Sequence, residues 1–341
     1  MSCEILAFIV HKLIRTGDDK KLEKEEGNAL LEINDSIQKL MDTLNKRYVD
    51  QGGRTFGNFS EDQDNYPISR YLDETDIIND QSGFYDLSIR VLDHLVAKAK
   101  NTSATEGWVV MCLYNYNNNL NFAVAVVNEI TGASIDETFQ VKPSVYIDLT
   151  KLRHAGRINL TQWKDSKDKY VSFIRAARES TYFKEFLGCE YTNSNVDESN
   201  KLISAINAFL EVENFNYEAR NETTSKAFDF LQSASKAKTP IFLEHLANHL
   251  MPEEPEKLRG YLVSDDFKIN DGFIPDGRTL KKLVEIQSKT PYWNLKLSRE
   301  AFRHGVDYNV ERGQLIIEIT DPLEKEKFAK EVQGIDDHEP D

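Results

Sequence analysis

The chain has 341 residues, with 42 Lys+Arg against 57 Asp+Glu, a net charge of −15 and a pI near 5.0, which excludes a uniformly basic nucleic-acid binder. An apolar fraction of 40 %, including 18 Phe, 14 Tyr and 3 Trp, excludes global disorder, and the length favours two domains. Three widely spaced cysteines, Cys3, Cys112 and Cys189, with no CxxC pair, exclude a disulfide framework or zinc knuckle and point to a reducing cytoplasm.

The apolar run Ile5–Val10 is too short for a secretory signal and is followed, not preceded, by basic residues; no later stretch approaches a membrane span, so a soluble intracellular protein is expected. Residues 5–14 read as a strand entering a charged loop, TGDDKKLEKEEGN. A helix begins after Asn34 or Asp35, either of which can cap it, and Ile37, Leu40, Met41, Leu44 and Tyr48 keep the 3.6-residue period. A Gly-rich loop, DQGGRTFGNFSED, and an acidic irregular stretch to about Gly83 come next. A second amphipathic helix spans about Phe84 to Lys100, with Leu87, Val91, Leu92, Leu95 and Val96 inward.

Residues 107–117 and 120–129 alternate or run apolar as strands do, joined by a turn at Asn117-Asn118-Asn119. Further strands are expected near 134–140, 143–149 and 155–160. A helix from Asp165 to Gly188 would bury Phe173, Ala176, Ala177, Phe183 and Leu187 and turn Lys167, Val171, Arg175, Arg178 and Tyr182 outward. YTNSNVDESN (191–200) marks a boundary, followed by helices at about 197–213, 216–236 and 240–250 and a break at MPEEPEK. Strands return at WNLKLS, VDYNV and QLIIEIT, with a turn at Arg312-Gly313, and GIDDHEPD reads as a disordered acidic tail.

The expected fold class is α+β. An N-terminal domain, 1–190, holds a largely antiparallel mixed sheet with packed helices. A second domain, 191–335, is helical and then β-rich, and 336–341 is an acidic tail.

Charge singles out one segment. Residues 142–189 carry 10 basic against 5 acidic residues, between blocks of 13 against 23 (1–141) and 19 against 29 (190–341). Phosphate-backbone binding is a physical reason for such an island. The candidate contacts are Lys167, Arg175, Arg178 and Tyr182 on the outward helix face, extended by Lys151, Arg153, Arg157, Lys164 and Lys169. The competing reading is a solvated face that pairs with the protein's own surplus carboxylates.

Other constellations are weaker. GGRTFG lacks the Gly-Lys-Ser/Thr ending of a P-loop and reads as a turn whose Phe56 and Phe59 return to the core. His245 and His249 lie four apart, but Glu244 precedes the first and no third ligand is near in sequence, so no metal is expected. Asp62, Asp64, Asp73, Glu74 and Asp76 lack the glycine and terminal glutamate of an EF-hand loop. Cys189 follows Gly188 as a packing cysteine would and has no Cys-His signature. No nuclease-like set of paired carboxylates with a lysine is evident, so neither catalytic residue nor cofactor is assigned.

Three stretches resemble the bacterial 37-kDa nucleoid-associated protein family (the YejK/NdpA family). They are NKRYVDQGGRTFGNFSED, GRINLTQW with KYVSFIRAARESTYFKEFLGC, and DGRTLKKLVEIQ with WNLKLSREAFRHGVDYNVERGQLIIEIT. The matched points include Tyr48, Phe56-Gly57, Phe59-Ser60, Arg157-Ile158, Leu160-Thr161, Trp163, Tyr170, Phe173, Phe186-Leu187-Gly188 and Leu315. The resemblance implies a cytoplasmic bacterial protein found with the nucleoid, binding DNA, with topoisomerase among its partners. The leading expectation is a non-enzymatic nucleoid-associated protein that presents the 142–189 surface to duplex DNA, with another nucleoid protein or a second copy in a homodimer as further partners. Two alternatives are a protein-interaction module recruited to the nucleoid by a partner and a component of defence against foreign DNA.

Overall fold

A computed structural model describes residues 2–17, 21–50, 53–77, 81–100, 102, 106–150, 152, 154–174, 181–191 and 194–336. Its centre is a nine-stranded sheet whose pairings are all antiparallel. The strands are β1 (Glu4–Thr16), β2 (Lys21–Glu25), β3 (Arg54–Phe59), β4 (Gly107–Tyr116), β5 (Asn119–Ile135), β6 (Val141–Asp148), β7 (His154–Asn159), β8 (Val171–Ile174) and β9 (Cys189–Glu190). They lie in the order β2-β1-β4-β5-β7-β8-β3-β9, and β6 pairs with the far half of β5 as a projecting arm.

Period-two alternation gives the sheet two apolar faces. Ile9, Val109, Met111, Val124, Ile158, Val171 and Phe173 face α2 (Ile68–Glu74), α3 (Gln81–Ala99) and α5 (Thr181–Leu187). Phe8, Val110, Cys112, Tyr114, Ala125 and Ile174 face α1 (Asp35–Asp50), which contributes Met41, Leu44 and Tyr48. The Asn34 side chain accepts hydrogen bonds from the Ser36 and Ile37 amides, each at 3.0 Å, and so caps α1 as expected.

A third core joins α6 (Asn195–Val212), α7 (Tyr217–Ala237), α8 (Leu243–Leu250) and α9 (Pro255–Leu262) around Leu202, Ile206, Phe209, Leu231, Leu246 and Leu258. Beyond it lie two hairpins, β10 (Glu285–Lys289) with β11 (Asn294–Ser298) and β12 (Val306–Asn309) with β13 (Gln314–Ile317), and then α10 (Pro322–Asp336). The α+β class with a largely antiparallel sheet, packed helices and small C-terminal β segments is the observed one.

Several local expectations are corrected. No helix runs from Asp165 to Gly188: α4 (Leu160–Lys164) ends before it, and Val171–Ile174 is a sheet strand. Within the Gly-rich segment, Arg54–Phe59 form strand β3 rather than a loop. At Gly57 a Cβ would stand 2.1 Å from the Glu190 carbonyl oxygen and 2.8 Å from Cys189 Sγ, so the strand accepts only glycine there. Part of the charged loop forms β2, which hangs its buried Leu22 on the edge of the sheet. MPEEPEK opens α9, with Pro255 in the first turn, where its missing N–H costs nothing. Of the acidic tail, Gly334–Asp336 are in α10 and 337–341 lie outside the described residues.

Candidate nucleic-acid interface

The structure separates the candidate basic residues. Arg157, on β7, is buried beside Tyr48, its guanidinium carbon 5.3 Å from the ring centroid. Its Nη2 lies 2.5 Å from Asp265 Oδ2, and Arg54 Nη1 on β3 lies 2.7 Å from Asp265 Oδ1. Arg54 Nη2 also donates to the Val263 carbonyl. Burial works against the Arg157 charge, but Asp265 with the nearby Tyr114 and Tyr48 outweighs it and moves its pKa up. Burial likewise opposes the Asp265 carboxylate, and the Arg157 and Arg54 guanidiniums overcome it, holding the pKa down at about 2.

This arginine–aspartate–arginine set ties the sheet to the segment that follows α9. Around it Gly53 donates its amide to Asp271 Oδ2 at 2.7 Å, and Phe56 donates to Asn270 Oδ1 at 2.7 Å. Asn270 in turn donates its amide to Glu198 Oε2 at 2.7 Å. Lys169 closes the chain: its side chain is only 14 % exposed, with Nζ 2.7 Å from Glu198 Oε1. Lys201 reaches the same oxygen at 3.6 Å, and burial with the Lys169 ammonium lowers its pKa to about 8.

Of the remaining candidates, Lys164 is exposed, pairs with Asp73, and lies over the Trp163 ring at 4.3 Å. Lys167 is exposed on the turn after α4, with no carboxylate partner among the described residues. Tyr182 is buried against His154 and Phe183, at ring separations of 5.3 and 6.1 Å, and burial raises its pKa. Lys151, Arg153, Arg175 and Arg178 lie outside the described residues. The single outward face expected for Lys167 and Tyr182 therefore does not form.

The other constellations resolve simply. Phe56 is buried and Phe59 packs on the core, 5.1 Å from Trp163. His245 and His249 are exposed and lean on Phe242 and Phe230. Glu74 pairs with Arg90, Asp73 with Lys164, and Asp62 accepts from Asn65. Among the described residues no three His, Cys, Asp or Glu side chains are grouped to hold a metal ion. The Cys189 thiol is buried and its pKa is pushed up to about 12, which removes thiolate character.

A cleft of about 1140 Å³ opens between β3, α5 and α6. Among the described residues, Glu61, Asp62, Asp168, Glu190, Asp197 and Glu198 line it with Lys169, Lys184 and Lys201. Among the described lining residues carboxylates are in excess, which disfavours an anion there.

Against known proteins, the model of the family described as nucleoid-associated protein YejK matches residues 9–323. The chain belongs to this family. A nucleoid-associated protein of Pseudomonas entomophila is 25 % identical over 330 residues, covering 94 % of this chain and 98 % of the relative. One of Azotobacter vinelandii is 25 % identical over 332 residues, covering 96 % and 98 %. The family resemblance read from the scattered segments is thus the relationship found over nearly the whole length. No helix among the described residues is long and apolar enough to cross a membrane.

Sequence reasoning missed two features of this family member. Asp265, the partner of both buried arginines, lies 108 residues from Arg157 and 211 from Arg54, beyond any local pattern. A second basic stretch, 278–304, holds seven Lys/Arg against two Asp/Glu, and averaging over the acidic block 190–341 concealed it. A running charge window as long as the stretch itself finds it.

Proposed function

We propose that this chain is a non-enzymatic nucleoid protein of the bacterial cytoplasm that binds duplex DNA through phosphate and shape contacts. The observation that carries the reading is the family match across residues 9–323. Within 142–189 the proposed contacts are Lys164 and Lys167 with Lys151, Arg153, Arg175 and Arg178, while Arg157, Lys169 and Tyr182 serve the fold. Lys167 supports this division, being exposed with no carboxylate partner among the described residues. Phosphate contacts orient such a protein without reading bases. Reversing Arg175 and Arg178 to Glu is expected to abolish retardation of duplex DNA and leave the melting temperature unchanged; retained binding refutes this assignment.

A second reading has its own support. The β5–β6 arm exposes Ile135, Val141, Val145 and Phe139, the last at 88 %, and α10 exposes Leu323, Phe328 and Val332. Apolar surface of this extent favours contact with protein, whether a second copy in a homodimer, a topoisomerase or another nucleoid protein. Capture of such a partner that survives nuclease, without retardation of purified DNA, selects this reading. Sedimentation of the pure protein tests the homodimer.

A further inference from the structure

The basic stretch 278–304 has the same net charge as 142–189, +5, in little more than half the length. Its centre is the β10–β11 hairpin, where Gln287 pairs with Lys296, Ser288 with Leu295 and Lys289 with Asn294. Alternation divides the hairpin. Ile286, Ser288, Leu295 and Leu297 line a cleft shared with Tyr308, Leu315 and Ile317 of the β12–β13 hairpin. Gln287, Lys289 and Lys296 occupy the opposite face.

Lys289 and Lys296 are diagonal neighbours in the register, and neither has a carboxylate partner among the described residues. They contrast with Arg157 and Lys169, each buried and neutralised within the chain. In a protein with 57 Asp and Glu, a pair of neighbouring lysines without a counter-charge leaves positive charge available to an external anion.

The hairpin tip supplies the second element. Thr290 donates its amide to the Trp293 carbonyl at 2.8 Å, and its hydroxyl accepts from the Tyr292 and Trp293 amides at 3.3 and 3.2 Å. This turn presents Tyr292 at 93 % exposure and Trp293 at 50 %. Trp293 lines the apolar cleft, whereas Tyr292 is exposed at the tip of the hairpin that carries Lys289 and Lys296. An exposed ring and unpaired lysines on one hairpin match the stacking platform and positive track that hold single strands. Base faces in a duplex are covered by their neighbours, so such a ring finds a partner where bases are unpaired.

We infer that the β10–β11 hairpin is a binding element for unpaired DNA, with Tyr292 stacking on a base and Lys289 and Lys296 on the flanking phosphates. The inference deepens the proposed DNA-binding function and rests on it, but it assigns a separate surface and a different DNA form.

The test is fluorescence anisotropy of the full chain with labelled oligo-dT of about 20 nucleotides and, separately, with a duplex. Tyr292→Ala is expected to weaken oligo-dT binding by roughly 5- to 100-fold and duplex binding by less than about twofold. Lys289→Glu with Lys296→Glu is expected to weaken oligo-dT binding by about tenfold or more and to flatten its salt dependence. Both variants replace exposed side chains, and an unchanged melting temperature checks their folding. Oligo-dT affinity within twofold of the parent for both variants overturns the inference, as does a change in oligomeric state with DNA affinity unaltered. Duplex binding by the parent without oligo-dT binding overturns the hairpin assignment alone. Absence of binding to either DNA overturns the proposed function along with it.

Discussion

Replacing Asp265 by Asn removes the charge that two buried guanidiniums share while conserving shape. Arg54 and Arg157 are both buried, and their two bonds to Asp265 measure 2.7 and 2.5 Å. Removing one partner from a fully buried ion pair costs about 3–5 kcal/mol, because the remaining charge is left uncompensated. The Asp265 side chain is 37 % exposed, so water compensates part of the loss, and the expectation falls to about 2–3 kcal/mol. At roughly 2–4 °C per kcal/mol for a unit of this size, the melting temperature drops by roughly 4–12 °C. Since folding depresses the Asp265 pKa from 3.8 to about 2, its contribution is complete above about pH 4 and is lost as the pH falls through 2. Thermal denaturation of parent and variant at pH 7 and pH 3 measures both effects. Asp266, exposed and adjacent, provides the control: Asp266→Asn is expected to stay within about 0.5 kcal/mol. A D265N variant as stable as D266N refutes the argument that this carboxylate fastens the sheet to the third core.

Gly57→Ala is expected to lose about 2–3 kcal/mol or fail to fold, because the new Cβ meets a backbone oxygen that cannot swing aside; urea denaturation reads it, and a neutral effect contradicts the strand geometry. His11 Nδ1 accepts the Gly27 amide at 3.0 Å, so Nε2 carries the proton toward Ser88 Oγ at 3.1 Å. Burial lowers the His11 pKa from 6.5 to about 4, so its contribution to stability is whole above pH 6.5 and declines as pH falls toward 4. His11→Gln is expected to flatten stability between those limits, measured by denaturant midpoints along a pH series; an unchanged profile counts against the buried neutral ring. Tyr182→Ala should cost about 3–5 kcal/mol as a core truncation, whereas Tyr182→Phe should leave DNA retardation intact; loss of binding in the folded Phe variant would return Tyr182 to the interface.

How far the sequence spoke depended on the range of the interaction concerned. Val109–Val127 reads as a hairpin because apolar strands and an Asn turn are local, and Asn117 and Asn118 do adopt the left-handed conformation such a turn needs. The segment from Asp165 misled because Phe173, Phe183 and Leu187 suit a helical stripe. The contrary signal was the alternation of Val171 and Phe173 with Ser172 and Ile174, only four residues long. Gly57 read as a loop residue because nothing nearby announces that the Glu190 carbonyl will press against it. Arg157 looked like a phosphate ligand for the same reason: its carboxylate partner arrives from a distant part of the chain. Charge composition marks where cations are numerous, but which of them stay unpaired is decided by tertiary pairing.

The most direct test of DNA binding by phosphate contact is a salt titration of the purified full-length protein on duplex DNA. Each neutralised phosphate contributes about −0.9 to the slope of log K against log salt. Contacts by four or more lysines and arginines therefore predict a slope of about −4 or steeper. Absence of binding at low salt, or a slope near zero, contradicts the account and leaves recruitment by a protein partner as the route to the nucleoid.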